Sequence, residues 1–183
     1  MNSSYFRTMI SLSKSEFNVI GFLIRNFSKR FTIRSIASSL GISAAGAHAV
    51  LKKLEKNGIV KAEKLGTGLF YEIDLGNKIA RHLAAVMLLK YSDIKRINTE
   101  ELEKESKAAV FDGKRLLVVT SDPDNVKDIC YRDFKEIKVV CKEEEEFVDA
   151  LRNKERDVLE ILEQGNVLFG EELILDSIKR VMR

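Results

Sequence analysis

Residues 35–60 read SIASSLGISAAGAHAVLKKLEKNGIV, and the fold of the N-terminal half turns on how they are parsed. Gly41 divides them, because glycine takes the left-handed C-terminal cap of a helix without strain. Before it, Thr32 can cap a helix whose Ile33, Ile36, Ala37 and Leu40 share one face. After it, Ser43 can cap a second helix that stops at Asn57-Gly58. Ala47, Val50, Leu51 and Leu54 recur at three- and four-residue steps and are expected to face a core. Ser43, Ala44, Ala45, His48 and Lys52 then fall on the other side.

Working outward, Ser13-Lys-Ser-Glu16 is a capping box that opens an earlier helix. Phe17, Ile20, Leu23, Ile24 and Phe27 form its expected apolar stripe. Past Gly58 the period changes to two. Residues 59–64 read as a strand, Leu65-Gly66-Thr67-Gly68 as a turn, and residues 69–74 as the returning strand. Residues 76–91 read as a further helix, with Ile79, Leu83, Val86 and Met87 on one side and Leu88 and Leu89 widening the apolar surface. Such a helix is too apolar to stand alone. It is expected to pack on the preceding elements, on a second subunit, or on both, which makes a homodimer the expected assembly.

The net charge of +3 hides an asymmetry. Residues 1–96 hold sixteen Lys and Arg against six Asp and Glu, a net +10, and residues 97–183 hold fifteen against twenty-two, a net −7. A basic half suits a polyanionic partner, and a split of sign suggests different partners for the two halves. The longest apolar run, Leu83 to Leu89, is far short of the roughly 20 residues a spanning helix needs. No basic-then-apolar leader opens the chain, so the expectation is a cytoplasmic protein without membrane contact.

The acidic half begins after 92–98, where the charge changes sign; the domains are expected at 1–96 and 97–183. Asn98 and Glu101 can start a helix. Lys107 to Phe111 and Arg115 to Thr120 read as strands around Asp112-Gly113, a hairpin signal. Ser121-Asp122-Pro123 starts a helix reaching about Phe134, and Glu136 to Lys142 reads as a third strand. Helices at 143–164, broken near Asn153, and at 171–183 close the chain. Cys130 and Cys141 read as core residues of a helix and a strand, not a redox pair. His48 and His82 lack ligand spacing, so no zinc site is expected. There is no P-loop and no Gly-x-Gly-x-x-Gly, and neither cofactor nor metal is expected.

Residues 13–75 resemble the winged helix-turn-helix of prokaryotic and archaeal transcription regulators. The resemblance is carried by TIRSIASSLGISAAGAHAVLKKLEKNGIV (32–60) and KAEKLGTGLFYEI (61–73), most specifically by Leu54, Gly58, Ile59 and Val60. It implies that the third helix enters the major groove and that the hairpin, the wing, touches backbone or minor groove. Direct base readout needs bidentate donors and acceptors. The outer face offers Ser43, His48 and Lys52, with Ala44 and Ala45 able only to touch thymine methyls. Phosphate contacts are better supplied, with Arg34, Lys52, Lys53, Lys56, Lys61, Lys64 and Thr67 as candidates; these carry affinity without sequence information. The expected partner is double-stranded DNA. A winged helix used only for protein contacts is the alternative.

Residues 100–183 are similar to minimal nucleotidyltransferases of archaea and bacteria. The carrier is EEEEFVDALRNKERDVLEILEQGNVLFGEELI (143–174), with Gly165, Val167, Leu168, Phe169 and Gly170 as its last motif. Active members carry Gly-Ser after the first strand and Asp-x-Asp into the second, because two-metal phosphoryl chemistry needs clustered carboxylates. Here KAAVF (107–111) runs straight into Asp112-Gly113-Lys114-Arg115, and a third family carboxylate falls at Lys138. The resemblance therefore implies an α+β chain that joins a winged helix to a small α/β nucleotidyltransferase-like domain stripped of its chemistry. Catalytic residues are expected to be none. Lys114, Arg115 and Lys138 could bind an anionic nucleotide as a signal. The rivals are an antitoxin-like protein whose second domain covers a protein partner, and an active nucleotidyltransferase with a rearranged site.

Overall fold

Thr32 and Ser43 act as the N-caps their positions imply, and they set the helix-turn-helix. In a computed structural model describing residues 11–89, 99–133 and 137–182, Thr32 and Ser35 cap one another reciprocally at the start of α2 (Ile33–Leu40). Gly41 ends α2 at φ +64°, and the Ser43 hydroxyl accepts from the Gly46 amide at 3.0 Å to open α3 (Ala44–Lys56). The earlier capping box forms as well: Ser13 and Glu16 exchange hydrogen bonds at the start of α1 (Lys14–Arg25).

The core stripe of α1 is rotated from the expected one. Val19, Ile20, Leu23 and Ile24 are buried, while Phe17 and Phe27 are only partly covered. Strands β1 (Val60–Leu65) and β2 (Gly68–Ile73) pair antiparallel from Val60↔Ile73 to Leu65↔Gly68, so the wing turns on Gly66 and Thr67 alone, with Gly66 at φ +60°. Phe31 adds a bridge to Tyr71 outside them. Helix α4 (Lys78–Leu88), capped by Asn77, lays Ala80, Ala84, Ala85 and Leu88 into the core. Small residues allow its close approach to α1, where a Cβ on Gly21 would lie 3.4 Å from Met87 Sδ.

The second half opens with α5 (Glu100–Glu105), which starts behind Thr99; the expected start at Asn98 lies outside the described residues. Strands β3 (Ala108–Phe111), β4 (Arg115–Val119), β5 (Lys138–Lys142) and β6 (Asn166–Phe169) form one sheet in the order β5-β4-β3-β6. The β3–β4 and β3–β6 pairs are antiparallel and β4–β5 is parallel. The parallel crossover is α6 (Pro123–Asp133). Alternation along β3 and β4 divides the core. Ala109, Leu116 and Val118 meet Leu102, Val126 and Cys130 from α5 and α6. Ala108, Val110, Leu117 and Val119 meet α7 (Glu144–Arg152), α8 (Arg156–Gln164) and α9 (Glu171–Val181).

Strand β6 is absent from the sequence expectation, which placed helices at 143–164 and 171–183 and no strand between them. Four residues between two glycines are too short to show a period of two. Both glycines are required by close packing: a Cβ at Gly165 would strike Ile161 O and Phe111 O, and one at Gly170, at φ +75°, would strike Lys107 O.

The halves share one apolar core, with α1 against α8 and α4 against α9. The Arg25 guanidinium fastens them by donating to Gly165 O on one side and Met87 O, at 2.9 Å, on the other. Lys29 pairs with Glu163 at 2.7 Å, and Arg81 pairs with Glu172 and Asp176. The expected boundary at 96/97 lies outside the described residues.

Candidate nucleic-acid interface

Ala47, Leu51 and Leu54 bury one side of α3 completely, which turns Ser43, Ala44, Ala45, His48, Ala49, Lys52, Lys53 and Lys56 outward. Helix α3 is held by α1, α2 and β1, so this face is carried on a rigid support. Lys64 and Thr67 are exposed on the wing, and Arg34 is exposed on the first turn of α2.

The seven phosphate-contact candidates divide by what they already touch. Lys53 is committed to α1: its Nζ lies 2.7 Å from Glu16 Oε1, donates to Oε2 at 3.1 Å, and donates to Ser11 O at 3.3 Å. Glu16 is buried to 1% exposure, and burial pushes its carboxyl up. The Lys53 and Ser13 hydrogen bonds outweigh that and hold it below its ordinary value. Lys61 pairs with its cross-strand neighbour Glu72 at 2.9 Å, a hydrogen bond that raises its pKa. The side chains of Arg34, Lys52, Lys56 and Lys64 form no ion pair among the described residues. Neither does His48, which points outward with them. Exposed cations without an acid partner are the ones a phosphate can engage without breaking an existing pair.

The second expected cluster is assembled and then cancelled. Arg115 and Lys138 are directly opposed on β4 and β5. Arg115 lies 2.8 Å from Asp112, 3.2 Å from Glu160 and 3.7 Å from Asp157, and Lys138 lies 3.2 Å from Asp157. Asp112 also accepts the amides of Lys114 at 2.9 Å and Arg115 at 2.6 Å, closing the β3–β4 turn on itself. Burial pushes Asp112 up, but these bonds keep it below its ordinary value. Of the three, only Lys114 forms no ion pair among the described residues, so the anion expected here meets a largely neutralised surface. Asp157 and Glu160 are what the sequence reading missed. They sit three apart on α8, and nothing local in the sequence shows that α8 crosses this end of the sheet.

Cys130 is buried in α6 and Cys141 is half-buried in β5. No group of three or more His, Cys, Asp or Glu is arranged to hold a metal among the described residues, and none of their helices is long and apolar enough to cross a membrane. On α4, Ile79 and Val86 are 44% and 59% exposed, with Leu83 and Met87 half-buried beside them.

Residues 29–61 match the family of winged helix-turn-helix DNA-binding domains. No curated protein matches the chain. Among solved structures, one mutant of Lactococcus lactis ZitR is 20% identical over 41% of this chain and 49% of its own, with a TM-score of 0.35. A second ZitR mutant is 18% identical over 57% and 75%, at 0.36. A MarR family protein from Bacillus stearothermophilus is 14% identical over 52% and 72%, also at 0.36. Overlaps this small constrain neither the whole fold nor the function.

Proposed function

We propose that this chain is a cytoplasmic, DNA-binding transcription regulator that works as a homodimer. The observation that carries the reading is the outward face of α3. Its alanines and serine leave a helix slim enough for the major groove, and Lys52 and Lys56 on it, like Lys64 of the wing, are exposed and form no ion pair among the described residues. The match over residues 29–61 supports the same use. Base contacts on this face are few, so affinity rests on phosphates, and specificity rests on the wing, half-site spacing and DNA shape. The exposed stripe of Ile79 and Val86, with Leu83 and Met87, is the surface that pairs two copies.

The C-terminal half, in this reading, is a nucleotidyltransferase-like module without catalysis that serves regulation or interaction. Support comes from the β3–β4 turn, where Asp112 is spent on two backbone amides and Arg115, while the nearby Asp157 and Glu160 are taken by Arg115 and Lys138; among the described residues no acid group is arranged to hold a metal.

The test is binding of the full chain to duplex DNA across salt concentrations. Log affinity should fall linearly with log salt, with a slope of about −0.9 per phosphate neutralised. Replacing Lys52 and Lys56 together by Ala should weaken binding and flatten that slope by up to about 2 units. Unchanged binding in the double variant would remove α3 as the grip.

A further inference from the structure

A cavity of about 590 Å³ lies between the base of the wing and the α7–α8 turn, within the usual range of about 300–1,000 Å³ for ligand pockets. Phe27, Leu151 and Met182 give it an apolar wall. Lys29, Arg30, Lys61, Arg152 and Lys154 line it from both halves of the chain, with the carboxylates Glu63 and Glu72 among them. Lys61 is engaged by Glu72, but Arg30 meets Glu63 only at 3.8 Å with both side chains more than half exposed. Lys154, which also lines the cavity, has no ion pair among the described residues.

Lys154 is also the only non-glycine at positive φ among the described residues, at +55°. It occupies the left-handed position after α7, where its amide bonds Leu151 O at 3.2 Å and the Glu155 amide bonds Ala150 O at 2.8 Å. Glycine is the usual residue there because a Cβ is strained. A lysine keeps the strain and places a charge at the cavity rim, the kind of outlier from which a functional role is inferred.

We propose that this cavity binds a small organic phosphate, its anionic end held between Arg30 and Lys154 and its apolar body against Phe27, Leu151 and Met182. Two cations, one from each half of the chain, match a group with several anionic oxygens, and the apolar lining matches a ring system. Since β1 and β2 form one wall, an occupied cavity fixes the base of the wing. Regulation of DNA binding follows from that, and this part alone rests on the DNA-binding reading above.

The experiment is calorimetry of the full chain with adenosine monophosphate as probe, and adenosine as the uncharged control. Saturable binding of the monophosphate and none of adenosine is expected. Lys154→Gly should raise Tm, because it relieves the strained backbone, while weakening the monophosphate about tenfold. Arg30→Ala should weaken it similarly, and Lys114→Ala should not. The site is overturned by absence of saturation at about 10 mM, by binding that survives Lys154→Gly, or by loss on Lys114→Ala, which would move it to the β3–β4 turn. Bound monophosphate should also change the Kd for duplex DNA; an unchanged Kd overturns the regulatory part and leaves the site. Calorimetry needs no DNA, so a chain that fails to bind DNA still reports on the cavity.

Discussion

The α3 face and the β3–β4 end of the second sheet carry similar residues, and the fold gives them opposite electrostatic surroundings. Both present lysine or arginine close together in sequence or space. On α3, Lys52 and Lys56 form no ion pair among the described residues, while Lys53, next to Lys52, is taken by Glu16. At the β3–β4 end, Arg115 and Lys138 are surrounded by Asp112, Asp157 and Glu160. A count of basic residues therefore says little about where a polyanion binds. What decides is whether the fold has already supplied the counter-charge, and that is a tertiary fact.

The same contrast holds for glycines, and there the largest effect is expected. Gly41 and Gly170 both sit at positive φ, +64° and +75°. Around Gly41 a Cβ would meet nothing within 4 Å, whereas at Gly170 it would strike the backbone at Lys107 and Ala108. Gly41→Ala should cost about 1 kcal/mol, the left-handed penalty alone. Gly170→Ala should cost about 3 kcal/mol or more, since β6 must move off β3 as well. Urea denaturation checks both. Equal midpoints for the two variants would mean that the β6 junction yields freely and that its packing is not what demands glycine.

The next effect tests neutralisation directly. If acids are what silence the β3–β4 end, replacing Asp157 by Asn and Glu160 by Gln should expose Arg115 and Lys138 to anions. The double variant should elute later from a heparin column than the parent, through this second surface. Adding Arg115→Leu should reverse the shift. Asp157 and Glu160 are themselves 48% and 32% exposed, so the stability change should stay within about 1 kcal/mol. Unchanged retention would show that charge balance does not separate this cluster from α3.

How much of this was legible in the sequence follows from the range of the signals involved. Caps, turns and helical stripes are local: Ser13, Thr32, Gly41 and Ser43 announced three helices, and Asp112-Gly113 announced the β3–β4 hairpin. The α7–α8 break at Asn153 was equally local. Strand β6 was not legible, because NVLF is too short for periodicity and its identity comes from pairing with β3. Val19 replaced Phe17 in the α1 stripe because α1 is covered on several sides, by α2, α3, α4, β2 and α8, which a single stripe does not describe. At the candidate sites the residue types and the outward face of α3 were readable. The partners Glu16 for Lys53 and Asp157 for Lys138 were not, since each pairing joins elements that only the folded chain brings together.

The smallest effect concerns that Glu16–Lys53 pair, and one substitution tests it in two ways. Burial favours the neutral carboxyl, but the Lys53 and Ser13 hydrogen bonds win and hold the folded pKa below the ordinary 4.5. A carboxylate with a depressed folded pKa stabilises above its unfolded pKa, and that stability is lost as pH falls through the folded value. Glu16→Gln should therefore be less stable than the parent near neutrality by about 1 kcal/mol, a charged hydrogen bond discounted because Lys53 is half exposed. The gap should narrow as pH drops from about 5 toward about 3. A gap that stays constant over that range would assign the effect to cap geometry instead of charge. In DNA binding the sign reverses. Freed from Glu16, Lys53 joins Lys52 and Lys56 as an available cation, so the variant should bind duplex DNA more tightly. Its salt slope should steepen by up to about 0.9 for one added phosphate contact. A variant that binds more weakly would mean that Glu16 serves α3 by orienting it, and that a lysine already spent by the fold cannot be returned to the interface.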